Sequence, residues 1–129
     1  MKELKGLGVA MVTPFTKNGE IDVKGLKNLT EHIIQGGADY LVILGTTGES
    51  VTLSKEEKKL VIDTILSCNN GRKPAVLGIG GNNTHEIAAQ LSRIDIHGID
   101  AILSVTPYYN KPNQNGLYEH YKALSESSK

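Results

Sequence analysis

The chain has 129 residues, of which 14 are basic and 14 acidic, so its formal net charge at pH 7 is zero. This balance gives no electrostatic reason to bind nucleic acid or an anionic membrane, and no apolar run approaches the ~20 residues of a membrane-spanning helix. One cysteine, Cys68, cannot form an internal disulfide, which predicts a reducing compartment. Because Gly6 and Gly8 interrupt the N-terminal stretch and no cleavage-site pattern follows, we expect no signal peptide and a cytoplasmic protein.

Strands and helices are predicted to alternate along the chain. Short apolar runs predict strands at residues 6–12, 40–44, 74–79 and 101–105. Apolar residues at helical spacing predict helices that begin after Asp22, at about Ser54, after Asn82 or Asn83, and at about Asn115. The second helix opens on a capping box, with Ser54 followed by Glu57, and Gly36-Gly37 ends the first helix. The apolar side chains of the second helix are predicted to face inward, namely Leu60, Val61, Ile65 and Cys68.

The alternating pattern predicts an α/β fold with a parallel sheet and right-handed crossovers. There are four βα units of about 30 residues each and no linker, so residues 1–129 are predicted to belong to one domain. Doubly wound sheets and (β/α)₈ barrels both fit the pattern, and four units are half of a barrel, which takes roughly 250 residues. On the pattern alone, a small open α/β sandwich is the default.

The loop after the second predicted strand carries the strongest indication of a binding site. Gly45-Thr46-Thr47-Gly48-Glu49-Ser50 joins a buried strand to a helix, the position where βα units hold their chemistry. Two hydroxyls and several backbone N–H groups there suit a carboxylate or a phosphate. The loop is not a P-loop, because the Gly-Lys-[Ser/Thr] ending is absent. The alternative is a tight turn whose threonines only cap the following helix.

A second stretch echoes the first. Gly98-Ile99-Asp100 precedes the fourth predicted strand as Gly37-Ala38-Asp39 precedes the second. The fourth strand ends in Thr106-Pro107-Tyr108-Tyr109-Asn110-Lys111-Pro112, and Met11-Val12-Thr13-Pro14-Phe15 repeats the Val-Thr-Pro-aromatic step near the start. A phenol in this stiffened loop is predicted either to relay protons at a site or to pack at its rim. Three strands ending on hydroxyls or aromatics indicate one shared face for a small molecule.

The remaining candidates favour structural roles. Gly78-x-Gly80 resembles the start of a dinucleotide-binding fingerprint, but Asn83 stands where the third glycine belongs, so nucleotide binding is not expected. Cys68 is interpreted as a buried structural thiol. The four histidines lack metal-ligand spacing, which predicts surface or helix-end roles and no metal site. They are His32, His85, His97 and His120.

Residues 45–50 and 106–112, in this order and at this spacing, resemble the two N-terminal signatures of the dihydrodipicolinate synthase family. These are pyruvate-dependent class I aldolases, and N-acetylneuraminate lyase is a member of the same family. The resemblance implies a (β/α)₈ barrel, of which this chain would supply the first four units, assembled as a homotetramer of tight dimers. It also implies condensation of pyruvate with aspartate semialdehyde, on the way to diaminopimelate and lysine, through a Schiff base on a lysine and without a separate cofactor.

The resemblance also implies roles for individual residues. Thr46 and Thr47 match the contact of the pyruvate carboxylate, and Thr46 supplies a hydroxyl of the proton relay. Tyr109 matches the tyrosine that crosses the tight dimer interface to complete the neighbour's relay. The inhibitory lysine of many members would contact Ser50, Asn82, Glu86 and Tyr108. Since Lys55 and Lys58 add positive charge near this cationic ligand, we expect weak or no lysine inhibition, and strong inhibition would contradict this.

The chain departs from the family at the covalent step. None of its lysines follows a buried strand, where desolvation would favour imine formation. The resemblance places the Schiff-base lysine on a later strand, so we expect the 129-residue chain alone to be inactive. Half a barrel also leaves two sheet edges and an apolar inner surface uncovered, so we expect the isolated chain to self-associate.

Two alternatives to the synthase interpretation stay open. The chain is also compatible with a portion of another pyruvate aldolase, such as a sialic acid or keto-deoxy sugar acid lyase, although the Thr46-Thr47 pair and the string from Tyr108 to Pro112 favour the synthase. It is also compatible with a non-catalytic half-barrel that serves as an assembly module, because the residues of the covalent step are missing.

Overall fold

The computed structural model describes residues 4–128; residues 1–3 and 129, which the predicted domain boundaries include, lie outside the described residues. Strands and helices alternate as predicted. The strands are Gly8–Ala10 (β1), Tyr40–Ile43 (β2), Ala75–Gly78 (β3) and Ala101–Leu103 (β4). The α-helices are Val23–Gln35 (α1), Lys55–Asn69 (α2), Thr84–Arg93 (α3) and Gln114–Ser127 (α4).

The four strands form one sheet in the order β1-β2-β3-β4. β1 pairs parallel with β2, with Val9 opposite Leu41, and β2 pairs parallel with β3, with Val42 opposite Val76. Doubly wound sheets reverse their strand order at a switch point, whereas successive barrel strands neighbour each other in chain order. The α/β class is therefore confirmed, and the open sandwich taken as the default on pattern alone is wrong.

Each strand is shorter than its apolar run. β2 ends at Ile43 because Leu44, although buried, has a φ of 55° and leaves the extended region. Pairing continues past two strand ends, since Met11 N donates to Val42 O and Ile79 N donates to Leu103 O. The apolar runs therefore located the strands correctly but overestimated their length.

Helices α1, α2 and α3 begin on predicted capping residues. The Asp22 carboxylate accepts a hydrogen bond from Gly25 N, and Ser54 and Glu57 form the complete capping box. Of the two candidate asparagines, Asn83 caps α3, and Asn113 caps α4 about two residues ahead of the predicted start. These caps satisfy backbone N–H groups that have no partner within the helix.

The Gly-x-Asp repeat has a shared structural role. Asp39 N donates to Leu7 O while the Asp39 carboxylate accepts from Leu7 N at 2.6 Å. Asp100 N donates to Ala75 O while its carboxylate accepts from Ala75 N at 2.9 Å. Each aspartate thus holds both backbone groups of one residue at the start of a neighbouring strand. The repeat therefore aligns neighbouring strands at their N-terminal ends. The candidate site residues follow the carboxyl ends of the strands.

The chain divides into two compact units. The first comprises residues up to 78 together with 98–102, and α1 packs against α2 within it. Its fully buried side chains include Leu26, Leu41, Ile43, Val61, Ile65 and Leu77. The second comprises residues 79–97 and those from 103 onward, and α3 packs against α4 within it. The single half-barrel domain of residues 1–129 stays a prediction.

Three predicted side-chain environments were wrong. His120, expected at the surface or a helix end, is 2% exposed and lies within α4. Leu60, expected to face inward with Val61, is 41% exposed because the buried face of α2 passes through Val61, Thr64 and Ile65. Cys68 is only half-buried, and its thiol lies 3.6 Å from the carbonyl oxygen of Lys27.

Several apolar side chains of the strand ends are exposed. Val12 follows β1 and is 48% exposed, while Leu103 and Val105, at and after the end of β4, are 52% and 46% exposed. Over the described range, no helix combines the length and apolar character needed to cross a membrane.

One ion pair ties the first two helices together. Arg72, which follows α2, donates two hydrogen bonds to the carboxylate of Glu31 in α1, at 3.0 and 2.6 Å. The pKa of Glu31 falls from 4.5 to about 2, mainly because of these bonds and secondarily because Gln35 also donates to the carboxylate. Because the folded pKa is depressed, the pair stabilises the fold above about pH 4.5, and this stabilisation is lost as the pH falls towards 2.

We expect Glu31→Gln to reduce the acid sensitivity of folding. The urea midpoints of the wild-type and variant chains should differ at pH 6 and converge as the pH approaches 2, because the wild-type carboxylate is then protonated. Glu119→Gln is the matched control, since Glu119 is exposed in the middle of α4 and its side chain makes no hydrogen bond among residues 4–128. An equal difference between wild type and Glu31→Gln at both pH values would contradict this role.

Candidate functional site

The loop after β2 consists of two short 3₁₀ turns, Thr46–Gly48 and Ser50–Thr52. Glu49 joins them in the left-handed conformation, with a φ of 53°. Leu44, just before the loop, is also left-handed. Non-glycine residues in this region are strained, and such strain persists only where the surroundings hold it.

Gly78, the last residue of β3, allows the start of this loop to approach the sheet. A Cβ built on Gly78 would overlap the carbonyl oxygen of Leu44 and lie 2.9 Å from Gly45 N. The Leu44–Gly45 peptide therefore lies directly against the end of β3, where any side chain would displace it. Close backbone packing thus explains Gly78 in the Gly78-x-Gly80 pattern without any nucleotide.

The other end of the first turn is fixed by Thr13. The buried Thr13 hydroxyl donates to Gly48 O at 2.7 Å, and a Cβ on Gly48 would lie 3.1 Å from Met11 O. Gly48 is itself buried. The sequence analysis noted Thr13 only as part of a repeated Val-Thr-Pro step and missed this supporting role.

The two threonines of the first turn direct unused donors outwards. Both are exposed, and within the described residues neither their backbone N–H groups nor their hydroxyls make a hydrogen bond. They do not cap α2, because Ser54 and Glu57 do so. The alternative in which Thr46 and Thr47 only cap the following helix is therefore wrong, and the turn offers backbone and hydroxyl donors to an anion.

The loop after β4, in the second unit, is strained around Tyr109. Asn110 N donates to Tyr108 O at 2.9 Å, and Tyr109 between them has a φ of 69°. This is a γ-turn of the rare left-handed kind. Lys111 is also left-handed, with a φ of 41°. The loop presents Tyr109 almost completely to solvent, with 91% of the residue exposed.

The loops after β3 and β4 are joined within the second unit. Asn110 Nδ2 donates to the carbonyl oxygen of Asn82 at 3.1 Å. Asn83 then caps α3 by accepting from His85 N and Glu86 N. The Thr84 hydroxyl lies 2.7 Å from the buried His120 Nδ1 of α4, which ties the first residue of α3 to α4. The sequence analysis missed Asn110 and His120 as parts of this arrangement.

The predicted site residues fall into two groups. Thr46, Thr47 and Ser50 lie on the loop after β2, in the first unit. Asn82, Glu86, Tyr108 and Tyr109 lie in the second unit, where the bond from Asn110 links the loop of Asn82 to that of the two tyrosines. Their predicted roles in binding and catalysis stay predictions.

A comparison with protein families gives one match over nearly the whole chain. The model of the dihydrodipicolinate synthetase family matches residues 3–129. The chain belongs to this family. The resemblance recognised in the two sequence signatures is thereby confirmed.

Relatives in the family are closely similar to this chain over its length. It is 53% identical over 128 residues to the 4-hydroxy-tetrahydrodipicolinate synthase of Flavobacterium psychrophilum, covering 99% of this chain and 44% of the relative. The enzyme of the same name from Parabacteroides distasonis is 50% identical, and the match covers 97% of this chain and 42% of that relative. The chain spans less than half the length of these relatives and corresponds to their N-terminal part.

Solved structures show the same fold. A chloride-inhibited dihydrodipicolinate synthase from Acinetobacter baumannii, complexed with pyruvate, gives a TM-score of 0.93 at 46% identity, with 98% of this chain and 44% of that chain covered. An N-acetylneuraminate lyase from Mycoplasma synoviae gives a TM-score of 0.84 at 34% identity, and the match covers 96% of this chain and 43% of that chain. The predicted fold class, the first part of a (β/α)₈ barrel, is confirmed.

We expect Gly78→Ala to destabilise the chain by about 1–3 kcal/mol, because the new methyl group would overlap the Leu44 carbonyl. Gly45→Ala is the matched control, since a Cβ there meets only a Val42 methyl group at 3.7 Å. Urea unfolding followed by circular dichroism gives the free energy of unfolding of each variant. Equal stability of the two variants would show that the close approach at Gly78 does not constrain the loop.

Proposed function

We propose that the chain is the N-terminal portion of a 4-hydroxy-tetrahydrodipicolinate synthase, a lyase that condenses pyruvate with aspartate semialdehyde in the diaminopimelate pathway to lysine. The observation that carries the proposal is the Thr46–Gly48 turn, whose unpaired donors suit a small carboxylate. The identities of 53% and 50% to relatives of this name support it. We also propose that the enzyme is cytoplasmic and assembles as a homotetramer of tight dimers.

Thr46 and Thr47 bind the carboxylate of pyruvate. The first N–H groups of a helical turn have no partner inside the turn and carry partial positive charge, so they attract an anion. Two hydroxyls beside them add further donors. Because the Gly78 contact and the Thr13 bond hold the turn at its two ends, these donors are positioned before the substrate arrives.

The Thr46 hydroxyl also takes part in proton transfer with Tyr109. A hydroxyl both donates and accepts, so a row of hydroxyls passes a proton without carrying a net charge. Tyr109 is 91% exposed on its strained loop, which suits a phenol that reaches into the site of a neighbouring subunit. The enzyme therefore depends on its dimer to complete the relay.

The amine that attacks the ketone of pyruvate comes from outside the described residues. Imine-forming lysines are desolvated, which favours the neutral amine. Among residues 4–128 no lysine is buried, and Lys111 in the Tyr109 loop is exposed. No separate cofactor is required. The 129 residues alone are expected to bind pyruvate weakly and not to turn it over.

A feedback site for lysine is part of the proposal in a weakened form. Asn82 and Glu86 are exposed at the start of α3, and Tyr108 is half-exposed on the neighbouring loop. A carboxylate and an amide oxygen suit the amines of lysine. Lys55, in the first turn of α2 after Ser50, is exposed and cationic, so solvent screens its charge.

A chimera tests the function. Residues 1–129 are joined to the remaining C-terminal segment of the Flavobacterium psychrophilum relative. Turnover of pyruvate with aspartate semialdehyde by the chimera, and none by the 129-residue chain, is expected. A well-folded chimera that does not turn over both substrates would contradict the proposal.

We expect Thr46→Val in this chimera to lower kcat by about 100-fold, because the variant keeps the shape of the side chain but loses the relay hydroxyl. Thr46→Ser, which restores a hydroxyl, should recover most of this loss. Ser67→Ala, on the exposed surface of α2, serves as the unaffected control. A kcat for Thr46→Val close to that of Thr46→Ser would exclude a role for the hydroxyl.

A second candidate function is a pyruvate-dependent lyase acting on sialic acid or a keto-deoxy sugar acid, supported by the similarity to the Mycoplasma synoviae lyase. A reciprocal chimera carrying the C-terminal segment of that lyase separates the two. If only the chimera with the synthase segment is active, on pyruvate and aspartate semialdehyde, the synthase is favoured. If only the reciprocal chimera is active, cleaving N-acetylneuraminate, the lyase is favoured. Two inactive but folded chimeras would favour the non-catalytic assembly module.

A further inference from the structure

The backbone of Tyr109 needs an external restraint. Its left-handed γ-turn is a costly conformation for a residue with a Cβ, and the side chain is too exposed to hold it by packing. Tyr108 on one side is itself 47% exposed. Within the single chain, the restraint therefore comes from the other residues of the loop.

Asn110 supplies the side-chain hydrogen bond of this loop. Its Nδ2 group donates to Asn82 O at 3.1 Å, and among the described residues no other side chain of 106–112 makes a hydrogen bond. The same residue closes the γ-turn through its backbone N–H. Asn110 thus makes two bonds: its backbone N–H closes the γ-turn, and its side chain joins the loop to the neighbouring loop.

The acceptor of this bond is itself held in place. Asn82 directly precedes Asn83, the N-cap of α3, and the first residue of α3, Thr84, is tied to the buried His120. Pro107 is buried at the start of the loop, and Pro112 lies against the first turn of α4, 3.0 Å from a Cβ built on Gly116. Between these two fixed prolines, Asn110 is the remaining point of attachment.

We propose that Asn110 is a positioning residue for Tyr109: it does not touch substrate, but its bond to Asn82 O keeps the γ-turn that directs the phenol. The proposal rests on the relay role of Tyr109 proposed above. An amide is required because the acceptor is a carbonyl, so aspartate has the right size but no donor. Removing the donor frees the loop to relax and leaves the phenol present but misplaced.

The test is a double-mutant cycle on kcat in the chimera. We expect Tyr109→Phe to lower kcat by about 100-fold and Asn110→Ala or Asn110→Asp to lower it by about 10-fold with the pyruvate KM unchanged. If Asn110 acts only through Tyr109, the double variant should be no slower than Tyr109→Phe alone. The control is Asn115→Ala, since Asn115 is exposed in α4 and its side chain makes no hydrogen bond among residues 4–128.

Three kinds of result would overturn the proposal in distinguishable ways. If Tyr109→Phe lowers kcat but Asn110→Asp leaves kcat unchanged, the positioning role alone is rejected. The same holds if the losses in kcat multiply in the double variant. An unchanged kcat in Tyr109→Phe rejects the relay role and the positioning role together. Hydrogen exchange over residues 106–112 checks the geometry in any folded variant, and unchanged exchange in Asn110→Ala and Asn110→Asp would also overturn the proposal.

Discussion

The close contact between the end of β3 and the Leu44–Gly45 peptide is the constraint on which the candidate site depends. Because Gly78 has no side chain, the chain leaving β2 turns directly over the sheet and begins a 3₁₀ turn there. The left-handed Leu44 is the local cost of that turn. Its result is a pair of threonines whose N–H and hydroxyl groups are free to meet an anion. The buried Thr13 bond fixes the far end of the turn, so the site is built from backbone held at two points rather than from flexible side chains.

The second unit uses the same principle on the loop after β4. A strained backbone is again held at defined points, here by two prolines and by the bond from Asn110 to Asn82 O. In both loops the strain lies at or near a residue with a proposed chemical role: Leu44 lies two residues before Thr46, and Tyr109 is itself the proposed relay residue. Strain that the surrounding structure maintains is a common property of functional sites. It gives both loops one conformation before a ligand binds.

Much of the fold was readable from local sequence. Apolar runs located every strand, and the capping residues Asp22 and Ser54 marked helix starts, because these signals act over a few residues. The barrel-like strand order, which excluded the open sandwich, came from the structure, since order depends on pairing between distant segments. His120 was placed wrongly because its residue type was weighed above its position: it lies four residues before the buried Leu124, on the face that α4 buries. The two site loops were recognisable as motifs, whereas the supports at Gly78, Thr13 and Asn110 became visible only as contacts.

We propose that this chain holds the groups for the carboxylate and the proton relay but not the amine that bonds to pyruvate. Borohydride reduction in the presence of pyruvate, read by intact mass and peptide mapping, tests it on the 129-residue chain and on the chimera. The account predicts no adduct on the chain alone and one adduct on the chimera, located in the segment from the Flavobacterium psychrophilum relative. An adduct on a lysine within residues 1–129 would contradict it.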